Sequence, residues 1–273
     1  MKGEERALIL GCGYVGQAVG RSLKNAGIPI TAVVRTQARI RDLEGFCQKV
    51  YCSSEINPAL FGTLVEENNL VIVTVAPKTR DDYFTTYLET AELFHKCSPS
   101  QPKHLIYTSS TSVYGDQGGK WVDEASPLLG SSEQAKILIQ TEGVYSALKA
   151  PWKVTLLRLA EIYGPGRTLE QKIAKMGGAT LAGSGTAYTN MVDLSDIVGA
   201  ILYAKEHGLE GIYNLADDDH QTRAHLYQKL AKQYGYPEVF FDQKEERLFR
   251  GSKRVSNRKI KSAGYTLQMP KRN

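Results

Sequence analysis

Apolar and polar positions along the first two thirds of the chain switch repeatedly between a strand period and a helix period. Ala7-Leu8-Ile9-Leu10 is an unbroken apolar run, as in a strand covered on both faces, and residues 17–26 then mix apolar and polar positions as an amphipathic helix does. Gly27 stops that helix, and residues 28–34 form a second, β-branched strand, so the first 34 residues read as a βαβ unit. A weak third strand at Val50-Tyr51-Cys52 precedes a strong fourth, Leu70-Val71-Ile72-Val73-Thr74-Val75. The pattern then predicts a helix over 82–97, a strand at 104–109, a long helix over 131–148 and a sixth strand at 153–158. Such alternation builds an α/β domain around a doubly wound parallel sheet. Past Gly164-Pro165-Gly166 the pattern breaks into helices near 169–176, 194–206 and 222–234, with a short strand at 211–215, which suggests a smaller C-terminal lobe.

Composition narrows the picture. The 273 residues are 42% hydrophobic and 23% charged, which fits a folded chain with a substantial core and excludes disorder. No apolar run approaches the ~18 residues of a membrane helix. Glu4 and Glu5 stand where a secretory leader would be basic, so no targeting segment is expected. Cys12, Cys47, Cys52 and Cys97 form no CxxC pair, and the five histidines are scattered; a reduced, cytoplasmic protein without a metal site follows.

The net charge of +5 is concentrated in one place. After Glu246 the chain has no acid but nine basic residues, among them Arg247, Arg250, Lys253, Arg254, Arg258, Lys261 and Arg272. That tail fits a solvated surface, a contact with an anionic small-molecule substrate or, least well, nucleic acid, since no aromatics are interleaved there for base stacking.

The chemistry begins between the first strand and the first helix, at Gly11-Cys12-Gly13-Tyr14-Val15-Gly16. A GxGxxG in that context is the dinucleotide-binding pattern of the Rossmann fold. Gly11 serves the tight turn, Gly13 the approach of a pyrophosphate and Gly16 the close packing of helix on strand, with the anion held at the helix N-terminus and Tyr14 and Val15 counted among the cofactor-binding residues. An NAD site would carry an acid at the end of the second strand to bond the ribose hydroxyls. Here that strand ends Val33-Val34-Arg35-Thr36, and a guanidinium at that point suits the 2′-phosphate of NADP, which is favoured over NAD. This divides the chain into an NAD(P)-binding Rossmann domain over 1–166 and a substrate lobe over 167–273, with strands and helices exchanged between them.

Taken in order, four segments make the chain resemble the extended short-chain dehydrogenases/reductases, the NAD(P)-dependent epimerases and dehydratases, and in particular their atypical members. They are the glycine motif; Ser109-Ser110-Thr111-Ser112-Val113-Tyr114-Gly115; Arg158-Leu159-Ala160-Glu161-Ile162-Tyr163-Gly164-Pro165-Gly166; and Asn190 through Asp196 followed by Gly211-Ile212-Tyr213-Asn214-Leu215. The resemblance implies that Ser110 is the catalytic hydroxyl, that Val75, Ala76 and Ile162 line the cofactor, and that the arginines of 253–258 grip a nucleotide-sugar diphosphate. It also implies pairing of two copies through the helices over 82–97 and 131–148.

The chain departs from the family at three points, one of them Asp193, which stands where the family usually has a His. The glycine expected at position 10 is Leu10, and the family's Tyr-x-x-x-Lys on the long helix reads Ser132-Glu133-Gln134-Ala135-Lys136. Lys136 keeps the residue that holds the nicotinamide ribose, but Ser132 lacks the acidity of a phenol. Tyr114, Glu161, Tyr163 and Asp193 are then the candidates to move a proton. Two functions are expected: an NADP-dependent oxidoreductase or epimerase/dehydratase, or a non-enzymatic NAD(P)-binding sensor or scaffold that has lost the tyrosine.

Overall fold

Short runs of apolar residues fold into strands here because both of their faces are covered, and all four residues of β1 (Ala7–Leu10) are buried. In the computed structural model, which describes residues 5–243 and 251–272, the chain continues through α1 (Tyr14–Asn25), β2 (Ile30–Val34), β3 (Lys49–Cys52), α2 (Pro58–Glu67) and β4 (Leu70–Val73). Next come α3 (Thr90–His95), β5 (Lys103–Ser110), β6 (Trp121–Val122), α4 (Glu133–Ser146), β7 (Trp152–Leu159), β8 (Glu161–Tyr163) and α5 (Leu169–Ala174). The remainder is β9 (Thr180–Ala182), β10 (Met191–Asp193), α6 (Leu194–His207), β11 (Gly211–Leu215), α7 (Arg223–Tyr234), β12 (Phe240–Asp242), β13 (Arg254–Val255) and α8 (Arg258–Ser262).

Seven strands form one sheet in the order β11-β7-β5-β4-β1-β2-β3. β1 runs parallel to both β2 and β4, with Leu8 opposite Thr31 on one side and Val71 on the other. The chain winds outward in one direction from β1 to β3 and in the other from β4, so the β1/β4 boundary is the topological switch point, beyond whose carboxyl end ligands of such sheets bind. The doubly wound α/β reading of the sequence is the observed fold.

The local differences have physical causes. α1 starts at Tyr14, directly after Gly13, because Val15 and Gly16 already belong to its buried face. α2 was not anticipated, yet its signals are present: the Asn57 side chain accepts the Leu60 N–H, Pro58 opens the helix, and Phe61, Leu64 and Val65 bury at helical spacing. The helix expected over 82–97 begins as a π-helical stretch, Phe84–Glu89, before α3.

The chain divides into two compact units, and it crosses between them more than once. Residues 1–109, 132–158 and 198–213 form the first; 110–131, 159–197 and 214–273 form the second. The first unit's core packs Leu8, Leu10, Val71, Val73 and Leu105 beside an aromatic cluster in which Phe94 meets Phe61, Tyr145 and Trp152 edge-on at 5.0, 5.6 and 5.4 Å. Such pairs contribute about 0.5–1.5 kcal/mol each beyond their burial. The second unit's core gathers Tyr163, Leu169, Ile173, Met191, Leu226 and Leu230 from α5, α7 and the short strands between them. Among the described residues no helix is long and apolar enough to cross a membrane.

Candidate functional site

In the first unit the loop after β1 has the geometry its glycines predict. Gly11 sits at φ +84°, and a Cβ there would lie 2.6 Å from the Val75 backbone, so β1 and the segment after β4 approach as closely as main chains can. A Cβ on Gly16 would lie 2.8 Å from both the Gly11 carbonyl and the Thr74 hydroxyl, and that hydroxyl donates to the same carbonyl at 2.9 Å. Gly13 is different: it is exposed, and a Cβ there would have only the Gly11 carbonyl nearby, at 3.9 Å. The space beside Gly13 opens at the N-terminus of α1, a helix with no side-chain cap and no acid in its first turn. Uncapped N–H groups and the positive end of a twelve-residue helix, next to a main chain without a side chain, fit a pyrophosphate.

Arg35 follows β2 and is exposed. Its guanidinium donates to the carbonyl of Ala76, past the end of β4, so the side chain lies across the region where the adenine ribose of a dinucleotide would rest. The Asp82 carboxyl is held below its usual range chiefly by the Thr79 N–H, and the Arg35 guanidinium adds to that pull. Thr36 is exposed, and its carbonyl accepts the Arg39 N–H. Val75 and Ala76 therefore stand at the mouth of the glycine loop, the first by backbone proximity and the second as the acceptor that fixes Arg35.

Ser110 ends β5 and is half-buried; its Oγ accepts the Ser112 N–H at 3.1 Å, which leaves the hydroxyl proton able to donate. The first unit also holds a feature that sequence reading missed. Glu142 and Arg158, 3% and 2% exposed, form a buried bidentate pair, with Nη2 to Oε2 at 2.7 Å and Nε to both oxygens at 3.1 Å. Ser109 Oγ donates to the same carboxylate at 2.6 Å. The signal was available: Glu142 lies at helical spacing between Leu138 and Tyr145, on the buried face of α4.

Lys136 and Ser132 are both exposed. Ser132 is the N-cap of α4 and accepts the Ala135 N–H at 3.1 Å. Its backbone is extended, so it precedes the helix on which Lys136 stands. The serine has a structural duty here whether or not it takes part in chemistry. Ile162, in the second unit, is half-buried on β8 opposite Val192 of β10.

The candidate proton carriers are all in the second unit. Tyr114 is fully buried and donates to Asn214 Oδ1 at 2.7 Å. Asp193 accepts the Ser195 N–H and hydroxyl at 2.7 and 2.6 Å, where α6 begins. Glu161, half-exposed, is paired with Lys172. Tyr163 is 7% exposed with no hydrogen-bond partner for its hydroxyl, and burial, with Asp217 and Asp193 adding, raises its phenol well above the usual range.

The basic tail is less of a solvated face than its composition suggests. Lys253 is buried and donates to the Gly115 carbonyl at 3.1 Å. Arg254 donates to the Gly119 carbonyl at 3.0 Å, and Lys261 holds both oxygens of Asp218. Arg272 is buried against Asp217 at 2.6 and 2.9 Å and against the Thr189 hydroxyl at 2.6 Å. Arg247 and Arg250 lie outside the described residues. Among the described residues no group of three or more His, Cys, Asp or Glu is arranged to hold a metal ion.

Comparison with known proteins places the fold and the family. Protein YeeZ of Escherichia coli K12 is 28% identical over 239 residues, covering 85% of this chain and 84% of that protein. The fold is shared with MoeE5, whose structure holds UDP-glucose and NAD (TM-score 0.79, 20% identity, 97% of this chain and 94% of that one). It is shared too with the human epimerase family protein SDR39U1, whose structure holds NADPH (TM-score 0.77, 16% identity, 97% and 96%). The family model described as the NAD dependent epimerase/dehydratase family matches residues 7–216, and the chain belongs to that family.

Proposed function

We propose that this protein is an NADP(H)-dependent enzyme of the epimerase, dehydratase or reductase type acting on a small anionic substrate, with a nucleotide sugar the class that best fits. The observation that carries the cofactor preference is the end of β2, where Arg35 stands in place of an acid beside the Ala76 carbonyl. A carboxylate at that point would repel a 2′-phosphate, and a guanidinium meets it bidentately. The shared fold accepts both cofactors, as NAD in MoeE5 and NADPH in SDR39U1 indicate. MoeE5 also holds a nucleotide sugar, which supports the substrate class.

When bound, the nicotinamide gives or takes the hydride. Gly13 and the first turn of α1 hold the pyrophosphate, Val75, Ala76 and Ile162 line the cofactor, and Lys136 binds the nicotinamide ribose. Ser110 Oγ, which already accepts the Ser112 N–H, donates its proton to a substrate hydroxyl or carbonyl. The test is calorimetric titration with NADPH and NADH in parallel, on the native protein and on Arg35→Ala. NADPH should bind more tightly, and the preference should disappear in the variant. Equal affinity for the two cofactors in the native protein refutes the preference.

A second reading is favoured by Ser132, which caps α4 where the family has its tyrosine. The chain would then be a cofactor-binding sensor or scaffold. Hydride transfer or epimerisation that is abolished by Ser110→Ala or Lys136→Ala excludes that reading.

A further inference from the structure

The second unit contains a cavity of about 640 Å³, within the size range of small-molecule sites, beside the β6/β13 ribbon and α8. None of its lining residues belongs to the glycine loop or to the candidate proton carriers, and of the arginines of 253–258 that the family resemblance gives to a diphosphate only Arg258 lines it. One wall is Trp121, which is 54% exposed although large and apolar. Its ring is nonetheless fixed: the Arg254 guanidinium lies 5.1 Å from its centroid, and the His220 ring meets it edge-on at 4.7 Å. Arg254 is held in turn by the Gly119 carbonyl and by the Tyr188 ring at 4.9 Å. An exposed indole clamped on two sides is a stacking surface that loses little conformational freedom when a ligand covers it.

The charges lining the cavity are unequally committed. Asp218 accepts from Lys261 at 2.6 and 2.7 Å and from Asn257 at 2.8 Å, so its charge is compensated. Asp123 accepts the Ala125 N–H and the Ser126 hydroxyl at 3.1 and 2.9 Å. Burial, with Arg272 adding, pushes His220 down to about 4, so it is neutral near pH 7. The Arg258 side chain, exposed on the first residue of α8, has no hydrogen bond or ion pair among the described residues. A flat apolar wall and one uncommitted guanidinium line the same cavity.

We propose that this cavity binds a small planar aromatic anion, with its ring on Trp121 and its carboxylate or phosphate on Arg258. The site is independent of the cofactor reading and does not rest on it. The test follows Trp121 fluorescence, with Trp152 buried as the constant background, in titrations with phenyl phosphate and benzoate. Phenol and inorganic phosphate serve as the two half-ligands, and calorimetry gives the affinities.

At least one of the two aromatic anions should quench the fluorescence saturably, and the stronger of them identifies phosphate or carboxylate as the preferred group. Each half-ligand should bind at least tenfold more weakly. Arg258→Ala should lose roughly tenfold or more in affinity, as expected for a charge-assisted bond, and Trp121→Leu should lose the calorimetric signal. NADPH titrations should be the same in both variants and in the native protein. The proposal is overturned if neither aromatic anion binds saturably, if a half-ligand binds as well, if Arg258→Ala binds like the native protein, or if either variant changes NADPH affinity.

Discussion

Gly11 and Gly13 stand two residues apart in one loop, yet replacing each by alanine should damage a different property. At Gly11 the backbone is left-handed, which costs an alanine about 1–2 kcal/mol. The added Cβ would lie 2.6 Å from Val75 Cα and N, and both are main chain that cannot swing aside. Overpacking of that kind costs about 1–3 kcal/mol. Gly11→Ala should therefore lose roughly 2–5 kcal/mol of stability, a fall in Tm of roughly 4–20 °C for a chain of this size. At Gly13 the added Cβ meets only the Gly11 carbonyl at 3.9 Å, an ordinary contact, so Gly13→Ala should stay within about 0.5 kcal/mol of the native protein. Its methyl group instead enters the space next to the start of α1, and NADPH affinity should fall at least about tenfold, or 1.4 kcal/mol. Urea unfolding and calorimetric titration of both variants separate the two effects. Native stability in Gly11→Ala would refute the close approach of β1 and Val75, and native NADPH affinity in Gly13→Ala would refute the placement of the pyrophosphate.

Three further outcomes can be measured by chemical denaturation. Glu142→Leu should cost about 3–5 kcal/mol because it removes the carboxylate paired with the buried Arg158 guanidinium, and adding Arg158→Met should recover most of that loss; a double variant no better than the single one would show that the pair's charge is not what matters. Ser132→Ala should cost about 1 kcal/mol through loss of the α4 cap, while Ser132→Asp, which can still cap, should cost less. His104 is pushed down to about 4 by burial, with Lys153 adding, and its Nε2 lies 2.8 Å from the Thr155 hydroxyl. The unfolded chain protonates this imidazole near 6.5 and the folded chain only near 4, so stability should fall as pH drops through that window, by about 3 kcal/mol for this group. His104→Gln should flatten that part of the profile, and an unchanged slope would place the proton uptake elsewhere.

The sheet was legible because its strands are buried on both faces: β1 and β4 are four-residue runs with no polar position to confuse the period. The glycine loop was legible because turn, approach and packing each require a glycine at a set spacing. α2 was hidden by its length of ten residues and by Gly62 within it, although Asn57-Pro58 marked its start. The basic tail misled for a different reason. Composition counts charges without their partners, and Lys253, Lys261 and Arg272 find theirs at Gly115, Asp218 and Asp217, residues 43 to 138 positions away in sequence. The Glu142–Arg158 pair is a milder case of the same limit, since helical spacing put Glu142 on a buried face but could not name its partner.

For the enzyme proposed above, the second unit narrows where a proton can come from. Tyr114 must release Asn214 before it can serve another acceptor, Asp193 holds the first turn of α6, and Glu161 is tied to Lys172. Tyr163 has its hydroxyl unpaired, but burial and two neighbouring carboxylates keep its phenol protonated far above neutral pH, the opposite of the tuning a catalytic tyrosine needs. Each of the four would have to give up a structural bond or an unfavourable burial to work as an acid or base. A reaction that Ser110 and Lys136 run alone would take its proton from solvent or from the substrate itself. Its rate should therefore show no phenol limb in the pH profile. Ser132→Tyr restores a phenol four residues before Lys136 at the cost of the α4 cap, and it should introduce such a limb if the serine is all that separates this chain from the chemistry of its family. No turnover in either the native protein or that variant, together with intact NADPH binding, would favour the sensor or scaffold reading over the enzyme.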